Sequence, residues 1–224
     1  MAIGAEKVEM AVTFELISDR FDELIERAVA ALRNGEVIIA PLEHSYVFVG
    51  DAFNHGAVRR IHQLRDDARG VASQVIVGDL HMARGITLEF GTTLQSLVSR
   101  FWPGMLTVNI APAKGLVWDL GDARTLEQIS IRVPQGEFLR KVALASGPLA
   151  IGSAALAGRP APRTTIFFPA KQSDYSLLFD GGDLPEGPLS TVVSVKEDGV
   201  MVQRIGAISL AELREVTPNI AIPA

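Results

Sequence analysis

The sequence of 224 residues contains no cysteine, which excludes disulfide bonds and metal sites built from thiolates. A chain without disulfides suits a reducing compartment, so we expect a cytoplasmic protein. No apolar run approaches the ~18 residues that a membrane-spanning helix needs, and no membrane partner is expected. The first residues carry Glu6 and Glu9 and lack a continuous apolar stretch, so no signal peptide is expected.

Several catalytic motifs are also missing. The sequence has no P-loop (G-x-x-x-x-G-K-[ST]), no G-x-G-x-x-G, and no G-x-S-x-G around Ser153. Of its four histidines, His55 and His62 are seven residues apart, but no third ligand accompanies them, so no metal site is predicted. Any phosphate that binds must therefore be held by arginines, hydroxyl groups and backbone amides.

The formal net charge of −5 disfavours broad, sequence-independent binding to nucleic acid. Hydrophobic residues make up 48% of the chain and charged residues 21%, which is ordinary for a globular protein with a substantial core. The length suits a single domain, and we expect one over residues 1–224.

Segments with helical and strand patterns alternate along the chain. Apolar residues at helical spacing predict helices over 21–32, from Asn54 to about 65, and over 92–102, 136–146 and 210–216. Short apolar runs predict strands over 36–41, 74–79, 105–111, 129–134 and 148–154, and a hairpin turning at residues 197–199. This order predicts an α+β fold, a mixed parallel and antiparallel sheet with helices packed around it.

Polar residues stand where the predicted strands and helices end. Arg132 lies inside the apolar segment ISIRVP, where a charged side chain must reach solvent, pair with another group or face a ligand. Ser153 opens a run of small residues, GSAALAG. The others are Arg65, Arg69, Thr107, Ser190 and Arg204. Each of them alone is explained as simply by a solvated, capping or core role.

Their order along the chain resembles the YrdC-like family, the threonylcarbamoyl-AMP synthases. The similarity runs from about residue 36 to 206 and is carried by a series of short segments. These are 41–48 (PLEHSYVF), 50–52 (GDA), 61–68 (IHQLRDDA), 102–107 (WPGMLT), 131–134 (IRVP), 153–158 (SAALAG), 190–193 (STVV) and 204–206 (RIG).

The resemblance implies a YrdC-like fold, a twisted mixed sheet with a concave ligand cleft. In that family, ATP, L-threonine and bicarbonate give threonylcarbamoyl-AMP and pyrophosphate with the help of Mg²⁺, and the product serves tRNA modification. It therefore implies a transferase that binds ATP or an AMP-type nucleotide and a small acid. Catalysis of this kind depends on positioning and on stabilising charge at phosphate oxygens.

The resemblance also implies roles for single residues. Arg65, Arg69, Ser153, Ser190 and Arg204 would bind the nucleotide. The small acid would be bound by His44, Tyr46, Thr107 and Arg132. The residues closest to the chemistry would be Arg65, Arg132 and Ser153.

The departures from the family pattern fall on its reactive part. Two family threonines are replaced by Leu42 and His44, which removes hydroxyl groups from the expected amino-acid pocket. The family's Lys-x-Arg is here Arg65-Asp66-Asp67, so a carboxylate stands where a cation is expected. The asparagine of Ser-Ala-Asn is replaced by Ala155, which has no polar side-chain atom.

Three interpretations follow. The chain is an enzyme of this family that acts on another carbamoyl or acyl adenylate, with Glu43, His44 and Asp67 as new polar groups. Alternatively, it is an inactive relative that binds a nucleotide, tRNA or double-stranded RNA. In the third interpretation it is an ordinary threonylcarbamoyl-AMP synthase. The sequence alone leaves all three open.

Overall fold

A computed structural model describes residues 11–123, 127–165, 174–196 and 199–222. Within these ranges ten strands form one sheet in the order β1-β8-β2-β3-β7-β4-β6-β5-β9-β10. The strands are β1 Val12–Glu15, β2 Ile38–Pro41, β3 Tyr46–Asp51, β4 Gln74–Ile76, β5 Leu106–Ile110, β6 Ile129–Arg132, β7 Leu149–Ser153, β8 Leu177–Asp180, β9 Thr191–Lys196 and β10 Gly199–Arg204. Because β4 runs parallel to β6 and antiparallel to β7, the sheet is mixed, which confirms the predicted α+β class.

Six α-helices lie in the same described ranges: α1 Phe21–Arg33, α2 His55–Arg65, α3 Leu80–Ile86, α4 Thr92–Phe101, α5 Glu137–Ser146 and α6 Leu210–Val216. The Asn54 side chain accepts a hydrogen bond of 3.0 Å from the backbone N–H of Ala57, which fixes the start of α2 where the sequence predicted it. A capping box between Ser209 and Glu212 starts α6 in the same way. No helix in the described part of the chain is long and apolar enough to cross a membrane.

Two clusters of apolar side chains pack on the sheet. Neighbouring residues of a strand belong to different clusters. Ile38 belongs to the cluster formed with α1 and α5, whereas its neighbour Ile39 belongs to the cluster formed with α2 and α4. Val75 and Ile76 divide in the same way. Successive side chains of a strand point to opposite faces, so the two clusters mark the two faces of the sheet.

The same alternation selects the polar residues of one face. Arg132 pairs with Ile76 across β4 and β6, and Gln74 pairs with Ile151 across β4 and β7. Because paired residues share a face, Arg132 and Gln74 lie on the face whose other part α1 and α5 cover. Ser153, two residues beyond Ile151 on β7, lies on it too.

Some local expectations need correction. The sequence patterns did not predict β1, β3, β8 or α3. The antiparallel hairpin of β9 and β10 is confirmed, although residues 197 and 198 of its expected turn lie outside the described ranges.

Candidate functional site

A cavity of about 630 Å³ brings together most of the residues singled out in the sequence. His44, Arg65, Arg132, Ser153, Ser190 and Arg204 all line it. They come from the loop before β3, the end of α2, the ends of β6, β7 and β10, and the residue before β9. Residues far apart in sequence thus converge on one space large enough for a small-molecule ligand.

Arg132 is buried at the end of β6 and is held by a carboxylate. Its side chain is 5% exposed, and Nη2 lies 3.0 Å from Oε2 of Glu43, whose side chain is 10% exposed. Oε1 of Glu43 accepts a hydrogen bond of 2.8 Å from the backbone N–H of Gln135. Nη1 of Arg132 donates to the sulfur of Met105 at 3.0 Å, while Nε has no partner. This Nε–H can therefore pair with a ligand.

Arg65 reaches the cavity from the end of α2. Nη1 donates to the backbone carbonyl of Ser153 at 2.7 Å, and Nε donates to Asp67 at 2.9 Å. Its methylenes pass over Gly152, where an added Cβ would lie 2.5 Å from Arg65 Cδ. Glycine at 152 is thus required by the path of the Arg65 side chain.

The carboxylate of Asp67 contacts two side chains, those of Arg65 and His62. Its Oδ2 accepts from Arg65 and lies 2.8 Å from Nδ1 of His62. The other ring nitrogen of His62, Nε2, lies 2.7 Å from the carbonyl of Leu120 and 3.0 Å from Oγ of Ser73. Nδ1 of His62 can thus donate to the carboxylate, while Nε2 faces both a carbonyl and a hydroxyl.

Gln74, Ser190 and Arg204, which also line the cavity, are linked by a row of hydrogen bonds. Gln74 Nε2 donates to Oγ1 of Thr107 at 3.0 Å, and Thr107 Oγ1 lies 2.8 Å from Oγ of Ser190. Arg204 donates to the backbone carbonyl of Ser190 at 3.0 Å. With Gln74 donating to it, the Thr107 hydroxyl can donate to Ser190, which leaves the Ser190 hydrogen free for a ligand.

Two further polar atoms at the cavity are buried without a hydrogen-bond partner: Oγ of Ser153 and Nδ1 of His44. The ring of His44 packs against Gly187, where an added Cβ would lie 2.3 Å from the imidazole. Buried polar atoms are almost always paired in folded proteins. Unpaired ones at a cavity are therefore typical of groups that meet a bound ligand or water.

Three predicted site residues do not line this cavity. Thr107 is 1% exposed and contacts the cavity wall through Gln74 and Ser190. Tyr46 is fully buried, and its hydroxyl hydrogen is shared between the carbonyl of Gly182 at 2.7 Å and Oδ1 of Asp180 at 3.0 Å. Burial and the Asp180 carboxylate raise the pKa of this phenol, so it stays protonated. Arg69 lines a separate pocket of about 240 Å³.

Other residues at the cavity had no signal in the sequence. Gln74, Ser73 and Met105 line it, and so does His62, which the sequence offered only as a weak metal ligand. Their placement depends on how α2, β4 and β5 pack, which no local pattern encodes. Within the described ranges no group of three or more metal-ligating side chains comes together.

Comparisons with known proteins agree with the fold. A family model covering Sua5, YciO and YrdC proteins, described as "Telomere recombination", matches residues 30–206. A putative threonylcarbamoyl-AMP synthase of Mycobacterium leprae is 29% identical over 193 residues, covering 86% of this chain and 87% of the relative. The threonylcarbamoyl-AMP synthase of Bacillus subtilis is 31% identical over 208 residues, covering 92% of this chain and 59% of the relative.

Among solved structures, Sua5 of Pyrococcus abyssi complexed with L-threonine superposes with a TM-score of 0.83 at 23% identity. The match covers 96% of this chain and 62% of that one. The chain thus spans less than two thirds of the Bacillus and Pyrococcus proteins but most of the mycobacterial one. The predicted family resemblance and fold are confirmed.

Proposed function

This chain belongs to the family of Sua5, YciO and YrdC proteins, and on that premise we propose that its cavity binds an adenine nucleotide and a small carboxylic acid. In this proposal the protein is an enzyme that handles the mixed anhydride of the two, a carbamoyl or acyl adenylate. Its curated relatives are named threonylcarbamoyl-AMP synthases, so threonylcarbamoyl-AMP is the first adenylate to test.

One observation carries the proposal: three polar atoms at the cavity are buried and unpaired, namely Arg132 Nε, Ser153 Oγ and His44 Nδ1. Leaving such groups unsatisfied costs about 1–3 kcal/mol each. A ligand with anionic oxygens would satisfy the guanidinium N–H and the hydroxyl at once. Nucleotide phosphates and carboxylates both supply such oxygens.

The positions of these groups suggest a division of roles. Arg65, Ser153, Ser190 and Arg204 would hold phosphate and ribose. The acid would be held by Arg132, with His44 beside it. Since Glu43 and Gln135 fix the guanidinium of Arg132 in place, it would meet the ligand without reorganising. Tyr46, Thr107 and Arg69 had predicted roles as well. In this proposal Tyr46 and Thr107 support the walls of the cavity. The nucleotide-binding role of Arg69 stays a prediction.

The reaction in the direction of synthesis joins an acid oxygen to the α-phosphorus of ATP. The bond from that phosphorus to the bridging oxygen breaks, and pyrophosphate leaves with the electron pair. The protein would contribute alignment of the two reactants and cations near the phosphate oxygens. Both cavity carboxylates with buried side chains, Glu43 and Asp67, are paired with arginine. Mg²⁺ would therefore arrive on the nucleotide phosphates.

The proposal is tested by incubating the protein with ATP, Mg²⁺, bicarbonate and L-threonine and following pyrophosphate release and adenylate formation by mass spectrometry. Threonylcarbamoyl-AMP as product would support ordinary synthase activity. Adenylate formation with a different small acid instead would support a changed substrate. If ATP and AMP neither bind nor react, the proposal is wrong.

A second candidate, binding of a nucleotide without synthesis, is favoured by the position of Asp67. This carboxylate forms a salt bridge with the Arg65 guanidinium, which would otherwise be free to bind the phosphates. Tight binding of AMP with no turnover of any acid would support this candidate. Binding of tRNA or double-stranded RNA stays a prediction.

A further inference from the structure

We infer that Asp67 makes this cavity select a nucleotide with a single phosphate over a triphosphate. The inference rests on the proposed function and specifies its ligand. It places the protein at a step that binds AMP or a preformed adenylate more readily than ATP. Three of the arginines that line the cavity are already paired with carboxylates.

Most of the cationic groups at the cavity have a carboxylate of their own. Four arginines line it, together with three carboxylates: Arg65, Arg132, Arg163 and Arg204, and Glu43, Asp67 and Glu186. Arg65 pairs with Asp67 at 2.9 Å and Arg132 with Glu43 at 3.0 Å. Arg163 lies 3.9 Å from Glu186 at the exposed rim. Within the described residues, no carboxylate lies within salt-bridge distance of Arg204.

The Asp67 side chain is held in place by its neighbours. It is 5% exposed and contacts both the Arg65 guanidinium and the His62 ring. Oδ2 of Asp67 lies 2.9 Å from Nε of Arg65 and 2.8 Å from Nδ1 of His62. The negative charge therefore stays in the wall of the cavity whatever ligand enters.

Among the groups with a permanent charge at neutral pH, four arginines face three carboxylates at the cavity, a surplus of one positive charge. A phosphate monoester carries a charge of about −1.5 to −2 at neutral pH, which already uses up that surplus. Each further phosphate of a triphosphate adds negative charge beyond the surplus of the groups that line the cavity. Repulsion by Asp67 is strong in a partly desolvated cavity, since the interaction grows as the effective dielectric falls.

The test compares dissociation constants for AMP, ADP and ATP by isothermal titration calorimetry without divalent cations. The wild-type protein should bind AMP at least as tightly as ATP. Asp67→Asn should tighten ATP binding by about tenfold or more, equivalent to about 1.4 kcal/mol, and AMP binding by less than about threefold.

Asp66→Asn is the matched control, because it removes the same charge from the neighbouring residue, which is exposed and does not line the cavity. Asp66 sits at φ 53°, a conformation that asparagine also accepts. This variant should change each constant by less than about threefold. Asp67→Glu, which keeps the charge, should retain the wild-type order of ligands.

If the wild-type protein binds ATP about tenfold more tightly than AMP, or if Asp67→Asn tightens both ligands equally, the inference is overturned while the proposed function stands. If no adenine nucleotide binds, both are wrong. Should Asp67→Asn fail to fold, the wild-type series of AMP, ADP and ATP still decides, since it requires no variant.

Discussion

The Glu43 carboxylate and the Arg132 guanidinium form a salt bridge of 3.0 Å that is almost completely shielded from solvent. Glu43 lies in the loop between β2 and β3, and Arg132 ends β6, so the pair joins distant parts of the sheet. Arg132 therefore belongs to the fold as well as to the cavity. Variants at this position must separate the two roles.

Arg132→Ala should destabilise the protein by about 3–5 kcal/mol, because it leaves the Glu43 carboxylate buried without a counter-ion. The free energy of unfolding in urea measures this. The double variant Arg132→Met with Glu43→Gln should recover most of the loss, since no buried charge remains. It should nevertheless bind AMP weakly. A single alanine variant as stable as the wild type would contradict this account of the pair.

Gly152→Ala should displace the Arg65 side chain, since the added Cβ would lie 2.5 Å from Cδ and 2.9 Å from Nε. We expect nucleotide affinity to fall about tenfold or more. Gly85→Ala is the matched control, because a Cβ there meets nothing within 4 Å. Gly85 lies in helix α3, where alanine is more favourable than glycine by about 1 kcal/mol. Equal affinities in the two variants would show that the position of Arg65 is irrelevant to binding.

Much of the fold could be predicted because its signals are local. Asn54 caps α2 and the apolar spacing of 210–216 marks α6, as the sequence indicated. The strand β3 was missed because Tyr46–Asp51 follows a polar loop without a turn signal. The helix α3 is short and contains Gly85, which weakens its helical pattern.

The site was predicted less completely, for a physical reason. The resemblance to the YrdC-like family indicated which polar residues converge, and six of them line one cavity. It could not indicate that Asp67 would bridge Arg65 and His62, or that Thr107 would lie behind Ser190. Such pairings depend on side-chain directions set by packing between separate elements, and no local pattern records them.

Ser190 and Thr191 are adjacent but should respond differently to mutation. Thr191 is fully buried; its hydroxyl donates to the carbonyl of Ile208 at 2.6 Å and accepts from the backbone N–H of Gly206 at 2.8 Å. Thr191→Val keeps the shape but leaves these groups unpaired, so we expect a loss of about 1–3 kcal/mol in unfolding free energy.

Ser190→Ala should cost less unfolding free energy than Thr191→Val, because it removes one short hydrogen bond, to the buried Thr107 hydroxyl, instead of three. It should also weaken AMP binding. Urea unfolding and calorimetric titration of both variants measure the two effects. If Thr191→Val weakens binding and Ser190→Ala only destabilises the fold, the assignment of the two neighbours is reversed.

Stability should fall in acid partly through Asp180. Burial alone would raise the pKa of this carboxyl, but hydrogen bonds from the backbone of Gly182, from Thr165 and from Tyr46 outweigh it and hold the pKa below the ordinary value of 3.8. A carboxyl with a depressed folded-state pKa contributes stability above its unfolded pKa, and that contribution is lost as the pH falls through the folded value.

Asp180→Asn should therefore be less stable than the wild type near neutral pH, by about 1–3 kcal/mol, and the difference should shrink below about pH 3.8. Unfolding free energies at a series of pH values measure this convergence. A constant difference from neutral to strongly acidic pH would contradict the role given to the Asp180 charge.

The central claim, that the cavity binds an adenine nucleotide through its unpaired polar groups, is tested most directly by a crystal structure of the protein with AMP. The account predicts phosphate oxygens at hydrogen-bonding distance, about 2.7–3.2 Å, from Ser153 Oγ and the Arg65 guanidinium. A nucleotide bound elsewhere on the surface, with Ser153 Oγ and Arg132 Nε still unpaired, would contradict it.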